Sequence, residues 1–129
     1  MLCKPGGEKA LADKFPEKVI QAWVKPQEVP AYLSAADYGL IIREPSVTNK
    51  VSSPVKFAEY MAAGLPVIIS EGIGDYSAFV KEKNCGMPVD SVDWAKLQCN
   101  SERERIKEVA KTYLTKSACK EQYRKVVEF

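Results

Sequence analysis

Lys56 and Glu59 stand three residues apart in the stretch Ser52–Pro66, SSPVKFAEYMAAGLP. That spacing puts an ammonium and a carboxylate on one face if the stretch is helical. Its punctuation says that it is. Ser53 suits an N-cap, Pro54 the first helical position, and Gly64 followed by Pro66 closes the element. The free backbone N–H groups of a first turn, with the positive end of the helix, would then lie beside Ser53, Pro54, Val55 and Lys56. A helix start of this kind holds an anion, and a phosphate fits it. Glu59, one turn further in, would accept hydrogen bonds from neutral hydroxyls such as those of a ribose or a sugar. The competing reading is an i,i+3 salt bridge on a solvated face, worth only about 0.2–0.5 kcal/mol.

Two further cations, Arg43 and Lys50, sit in the loop Arg43–Ser53 (REPSVTNKVSS). They either reach a diphosphate or stay solvated. The turn Glu71–Asp75 (EGIGD) brings Gly72 and Gly74, but a G-x-G-x-x-G reading ends in Ser77, so an ordinary strand-to-helix turn is the plainer account. The chain has no histidine, which removes Ser-His-Asp and Cys-His catalysis, imidazole acid–base chemistry and His-ligated metals. Cys3, Cys85, Cys99 and Cys119 are scattered with no C-x-x-C pair, and no basic-then-apolar leader opens the chain. Reduced thiols in a cytoplasmic protein are the expectation, and a catalytic thiol would lack its activating histidine. The 19 Lys and Arg against 17 Asp and Glu leave a net charge of +2, too balanced for a nucleic-acid partner. No apolar run approaches the ~18–20 residues that cross a bilayer.

The elements that must position these residues follow from periodicity and breakers. Helical spacing covers 8–15 until Pro16, a β-rich run covers 19–24 until Pro26, and helical residues return over 29–36. A short apolar run at 38–42 (YGLII) reads as a strand covered on both faces, 66–70 (PVIIS) as another short, apolar, β-branched strand, and 85–89 (CGMPV) as a last, weaker one. Helices are expected from Ser53, over 76–83, briefly over 94–98, and from Ser101 onward, where Glu104 completes a capping box. Within the helix after Ser53, Val55, Ala58 and Ala62 form one buried stripe and Phe57 with Met61 another, and Trp23 and Trp94 are expected in the core. Strands alternating with helices predict an α/β fold, a Rossmann-like parallel sheet flanked by helices, in one domain of 129 residues with a helical tail over 101–129. Ligands of such folds sit at the carboxyl ends of strands, where both the Arg43–Ser53 loop and the Glu71–Asp75 turn fall.

VPAYLSAADYGLII, then SSPVKFAEYMAAGLPVIIS, a Gly-containing turn and helix, and NCGMPVD together resemble the carboxyl-terminal, donor-binding half of group 1 (family 4) glycosyltransferases. The likeness covers roughly 19–90, and P-x-K-x-x-E-Y-x-A-x-G-x-P is its most specific part. It implies the GT-B architecture of two Rossmann-like domains facing across a cleft, and a retaining, metal-independent sugar transfer from a nucleotide diphosphate sugar to a glycan or lipid-linked acceptor. Glu59 matches the second glutamate of the family's E-x7-E motif, which binds the ribose hydroxyls of the donor. Ser53, Pro54 and Val55 fall where the helix start approaches the diphosphate or the sugar, and Lys56 occupies a position often basic in relatives with the SPxK pattern.

The departures are equally specific. Val51 stands where the first glutamate of E-x7-E belongs, leaving that sugar contact absent or supplied by Glu44 or Lys50. The family's G-G-x-x-E turn appears only as Gly72, Ile73, Gly74, Asp75. The acceptor-binding domain has no counterpart, nor has the first strand-helix unit of the donor domain, so an incomplete GT-B half is expected. Such a half would be inactive alone, and would leave a gap, rearrange its sheet or exchange a strand in a swapped homodimer. Lipid-linked acceptors leave room for a peripheral place at the inner membrane face. The alternatives are a non-catalytic Rossmann-like module binding a nucleotide or a protein, and a fragment of a sugar-nucleotide epimerase, whose catalysis usually calls on the histidine missing here.

Overall fold

A computed structural model describes residues 9–118, Lys120 and Arg124, with residues 9–11 described by their backbone alone. Cys3, Cys119 and most of the helical tail past 118 lie outside the described residues. The chain divides into two compact units, Met1–Tyr32 and Leu33–Phe129.

The first unit holds helix α1 (Lys9–Lys14) and most of α2 (Val29–Ser34). Past Pro16 the chain turns, with the amides of Lys18 and Val19 both 3.0 Å from the Phe15 carbonyl oxygen. The β-rich run at 19–24 contributes no strand to the sheet. Bracketed by Pro16 and Pro26 it has little length to pair, and Trp23 is 62% exposed rather than in the core. Before α2 the Glu28 carboxylate accepts the Lys25 amide at 2.8 Å, a turn that starts the helix and leaves Pro30 in its first turn.

The second unit is built on β1 (Gly39–Ile41), β2 (Val67–Ile69) and β3 (Gly86–Pro88), parallel and in the order β1-β2-β3. Gly39 pairs with Val67 and Val67 with Gly86, fixing the register across the sheet. Parallel pairing needs a crossover between strands. Between β1 and β2 run α3 (Val47–Lys50) and α4 (Val55–Ala62), and between β2 and β3 runs α5 (Tyr76–Glu82). This is an α/β, Rossmann-like arrangement with flanking helices. Val67, Ile68 and Ile69 are all buried, so β2 is covered on both faces as its apolar run requires. In β1 only Gly39 and Ile41 are buried; Leu40 is 50% exposed.

The core on one face joins Ile41, Val67 and Ile69 of the sheet to Phe57 and Met61 of α4, Val80 of α5, and Ile106 and Ala110 of α6 (Arg103–Tyr113). The α4 pattern differs from the expected one. Phe57 and Met61 are buried, while Ala62 is exposed and Val55 is 73% exposed, because a stripe through Phe57 and Met61 turns Val55, Glu59 and Ala62 outward. Trp94 is 56% exposed, and the short helix expected over 94–98 is only a turn in which Asp93 holds the Ala95 amide at 3.2 Å. Among the described residues no helix is long and apolar enough to cross a membrane.

Of the crossover helices, α4 and α5 each end in a Schellman motif. After α4 the amides of Gly64 and Leu65 bond the carbonyls of Met61 and Tyr60, and after α5 those of Asn84 and Cys85 bond Lys81 and Val80. Cations from α6 then cover these helix ends. Arg103 donates to the Ala63 carbonyl at 2.9 Å and the Ala36 carbonyl at 2.6 Å, and Arg105 to the Asn84 carbonyl at 2.7 Å. Guanidinium groups at helix carboxyl ends satisfy orphan carbonyls and complement the dipole. They take the place of the expected capping box as the feature that fixes the start of α6, whose N-cap is Glu102 with no side-chain cap bond.

Cys85 is fully buried and Cys99 exposed. Burial pushes the Cys85 thiol from 9.0 up to about 11, against smaller lowering contributions from its backbone hydrogen bond and Arg105. A raised acid pKa means that the folded chain keeps a proton that the unfolded chain has lost, so stability falls as pH climbs from about 9 to about 11. The expected loss is on the order of 2–3 kcal/mol, since each tenfold gain in proton affinity is worth about 1.4 kcal/mol. Denaturant midpoints of wild type and Cys85→Ala between pH 8 and pH 11 test it: the wild-type decline should shrink in the variant. Peptide mapping after mild alkylation at neutral pH should find Cys99 modified and Cys85 not.

Candidate functional site

The carboxyl ends of β1 and β2 lead into two loops, 42–54 and 70–75, and hydrogen bonds knit them together. The Arg43 amide donates to the Ser70 hydroxyl at 2.9 Å, so the start of one loop is seated on the start of the other. Ser77 at the start of α5 locks the second loop, taking the Ile73 amide at 2.9 Å and donating to the Ser70 carbonyl at 2.9 Å. Gly72 and Gly74 both have positive φ, 69° and 48°. The Gly74 amide donates to the Asn49 carbonyl at 3.0 Å, binding the glycine turn to the other loop.

Asn49 is the centre of this assembly. Its side-chain amide donates to the Glu44 carbonyl at 2.7 Å, and its side-chain oxygen accepts from the Arg43 guanidinium at 3.2 Å. Its backbone carbonyl also accepts the Ser52 hydroxyl at 2.9 Å, and its amide donates to the Ser46 hydroxyl that caps α3.

The start of α4 is defined differently from the sequence reading. Pro54 is the N-cap, at φ −67° and ψ 118°, and the helix begins at Val55. Ser53 therefore does not cap; its hydroxyl lies 3.0 Å from the Tyr76 hydroxyl at the start of α5. The Tyr76 ring in turn stacks on Phe57, centroids 4.3 Å apart, so the core holds the aromatic that meets Ser53. Lys56 and Glu59 are both exposed on α4 and, among the described residues, are not ion-paired with each other. Burial, and secondarily the Glu59 carboxylate, push the neighbouring Tyr60 hydroxyl up, so Tyr60 stays protonated on the flank of α4. Lys50 ends α3, exposed, its amide on the Ser46 carbonyl at 3.0 Å.

Of the residues that the sequence singles out, the fold thus brings Arg43, Ser53 and Gly74 into one hydrogen-bonded loop assembly and leaves Lys56 and Glu59 outward on the adjoining helix. A family model described as the glucosyltransferase 3-like, C-terminal domain matches residues 6–121. The chain belongs to this family. No curated protein and no solved structure matches it. The Rossmann-like parallel sheet with flanking helices is consistent with the carboxyl-terminal domain of a glycosyltransferase.

In this glucosyltransferase 3-like domain, two of the residues that build the loop assembly escape a reading of the sequence. Asn49 lies inside a loop that stands out only for its cations, and its side-chain bonds to Arg43 and Glu44 depend on how that loop folds back on itself. Tyr76 stands out only as the first residue of a helix; that a serine 23 positions earlier meets its hydroxyl depends on tertiary packing. A cavity of about 230 Å³ lies elsewhere, lined by Tyr38, Pro66, Gly86 and Cys99 near the amino ends of the strands, and so has no part in these loops. Among the described residues no cluster of cysteine, aspartate and glutamate is arranged to hold a metal ion.

Proposed function

We propose that this chain is the donor-nucleotide half of a GT-B glycosyltransferase of the group 1 (family 4) type, one that transfers a sugar with retention and without a metal ion. The observation that carries the reading is the loop assembly at the carboxyl ends of β1 and β2, beside the start of α4. Parallel α/β sheets place their ligands at these ends. Membership of a glucosyltransferase-like family supports a nucleotide-linked glucose as donor.

In this reading the first amides of α4, with Ser53, Pro54 and Val55 around them and Lys56 beside them, receive the diphosphate. Arg43 and Lys50 add positive charge from the loop, and the glycines at 72 and 74 let backbone approach the ligand. Glu59 accepts hydrogen bonds from the ribose. Transfer would proceed in a cleft against a second domain, by electrostatic stabilisation of the departing nucleoside diphosphate. A glycan or lipid-linked acceptor would be bound by that second domain, and these 129 residues alone would turn nothing over.

Calorimetric or NMR titration with UDP-, GDP- and ADP-glucose tests the proposal. One nucleotide should bind, and Glu59→Ala should weaken it roughly tenfold, the scale of a lost charged hydrogen bond, with the unfolding midpoint unchanged because Glu59 is exposed. A folded sample that binds none of the three, or that binds equally well without Glu59, sinks it.

A further inference from the structure

Arg43 is an exposed loop arginine, yet both ends of it are held. Its amide is seated on the Ser70 hydroxyl at 2.9 Å and its guanidinium on the Asn49 side-chain oxygen at 3.2 Å. Among the described residues no carboxylate pairs with it. A neutral amide oxygen orients a guanidinium without cancelling its charge, and leaves further N–H donors of the planar fork for a ligand. Asn49 is itself fixed, by its side-chain amide donating to the Glu44 carbonyl at 2.7 Å and by the Gly74 amide donating to its backbone carbonyl at 3.0 Å.

Ordering a free arginine on an anion costs it most of its rotamer entropy. A side chain ordered beforehand avoids most of that, and its bidentate geometry is set before the ligand arrives. From this we infer that Asn49 is a positioning residue of the donor site: it acts through Arg43, aiming a fully charged guanidinium at the diphosphate, and through Gly74 it holds the glycine turn against the same loop. The inference rests on the donor-site reading above and adds the residue that organises it.

The test is a double-mutant cycle on the whole chain with UDP, or whichever nucleoside diphosphate the titration above selects, as the probe. Asn49→Ala and Arg43→Ala should each weaken binding roughly tenfold, and the double variant should bind no more weakly than the worse of the two, since both remove one interaction. Arg43→Lys, a surface change that keeps the charge and loses the fork, should fall close to Arg43→Ala. In the ligand-free protein the Arg43 side-chain NεH relaxation should report an ordered group in wild type and a mobile one in Asn49→Ala, a signature that a merely structural asparagine would not give. Additive losses, a lysine that binds as well as arginine, or an Arg43 side chain equally ordered without Asn49 overturn the inference while leaving the donor site in place. A folded wild type that binds no nucleoside diphosphate overturns both.

Discussion

Phe57→Ala is expected to lower the unfolding free energy by about 3–5 kcal/mol, the range of a fully buried phenylalanine truncated to alanine. Phe57 is 0% exposed, at the centre of the face that α4 turns toward the sheet. Its ring is stacked on Tyr76 at 4.3 Å and meets Phe79 edge-on at 5.8 Å, contacts each worth about 0.5–1.5 kcal/mol beyond area burial. Phe79 passes the contact on to Tyr113 of α6 at 5.9 Å, so a chain of rings ties α4, α5 and α6 together. Against a total stability of about 5–15 kcal/mol, that loss is a large share. Guanidinium chloride unfolding followed by circular dichroism measures it, and Phe57→Leu, which refills much of the space but forfeits both ring contacts, should cost less than the alanine variant. A loss under about 1 kcal/mol for the alanine variant would mean that the rings collapse onto the gap. The functional side of the prediction is separate: with Phe57 gone, Tyr76 loses the ring that backs it, and its bond to Ser53 at the start of α4 should loosen even where the helices persist.

What could be read from the sequence and what could not divide along one physical line. The runs at 38–42, 66–70 and 85–89 become strands 39–41, 67–69 and 86–88, whereas the run at 19–24 contributes none to the sheet, so an apolar stretch between breakers marks a candidate strand without settling it. The end of α4 is legible, since Gly64 at φ 78° is what a Schellman motif requires. Its start is not. A serine before a proline satisfies every local rule for an N-cap, but here Tyr76, brought in by the β2–α5 connection, takes the Ser53 hydroxyl instead. For Asn49 it holds of the backbone carbonyl alone, which meets Gly74 of the other loop, while its side chain meets Arg43 and Glu44 of its own. It holds too for Arg103, whose carbonyl partners precede it by 40 and 67 residues. Trp23 and Trp94 mislead for the opposite reason: residue type argues for burial, but neither sits in a periodic segment that could place it in the core. Local signals set the elements, then, while the side chains that assemble the candidate site are selected by contacts between elements.

The pair of glycines in the second loop turns that distinction into a measurement. Gly74→Ala should cost about 2–4 kcal/mol and Gly72→Ala only about 1–2 kcal/mol, although both residues have positive φ, 48° and 69°. The strain of a side chain in the left-handed region is common to both variants. What differs is space. A Cβ at Gly72 meets nothing within 4 Å, whereas one at Gly74 would overlap the Ser52 carbonyl oxygen, part of the backbone of the other loop. That oxygen cannot swing aside as the end of a long side chain could, so the two loops must separate, and the bond from the Gly74 amide to the Asn49 carbonyl must stretch or break. The difference between the two variants, read from denaturant unfolding in parallel, isolates the closeness of the loops from the backbone preference. The same pair separates the donor-site reading from mere stability. If the diphosphate is held where these loops meet, Gly74→Ala should also weaken nucleotide binding at temperatures where it is fully folded, and Gly72→Ala should do so far less. Equal effects of the two substitutions on stability would mean that the loops are not held at this separation in solution. Equal effects on binding would move the phosphates away from the seam between them.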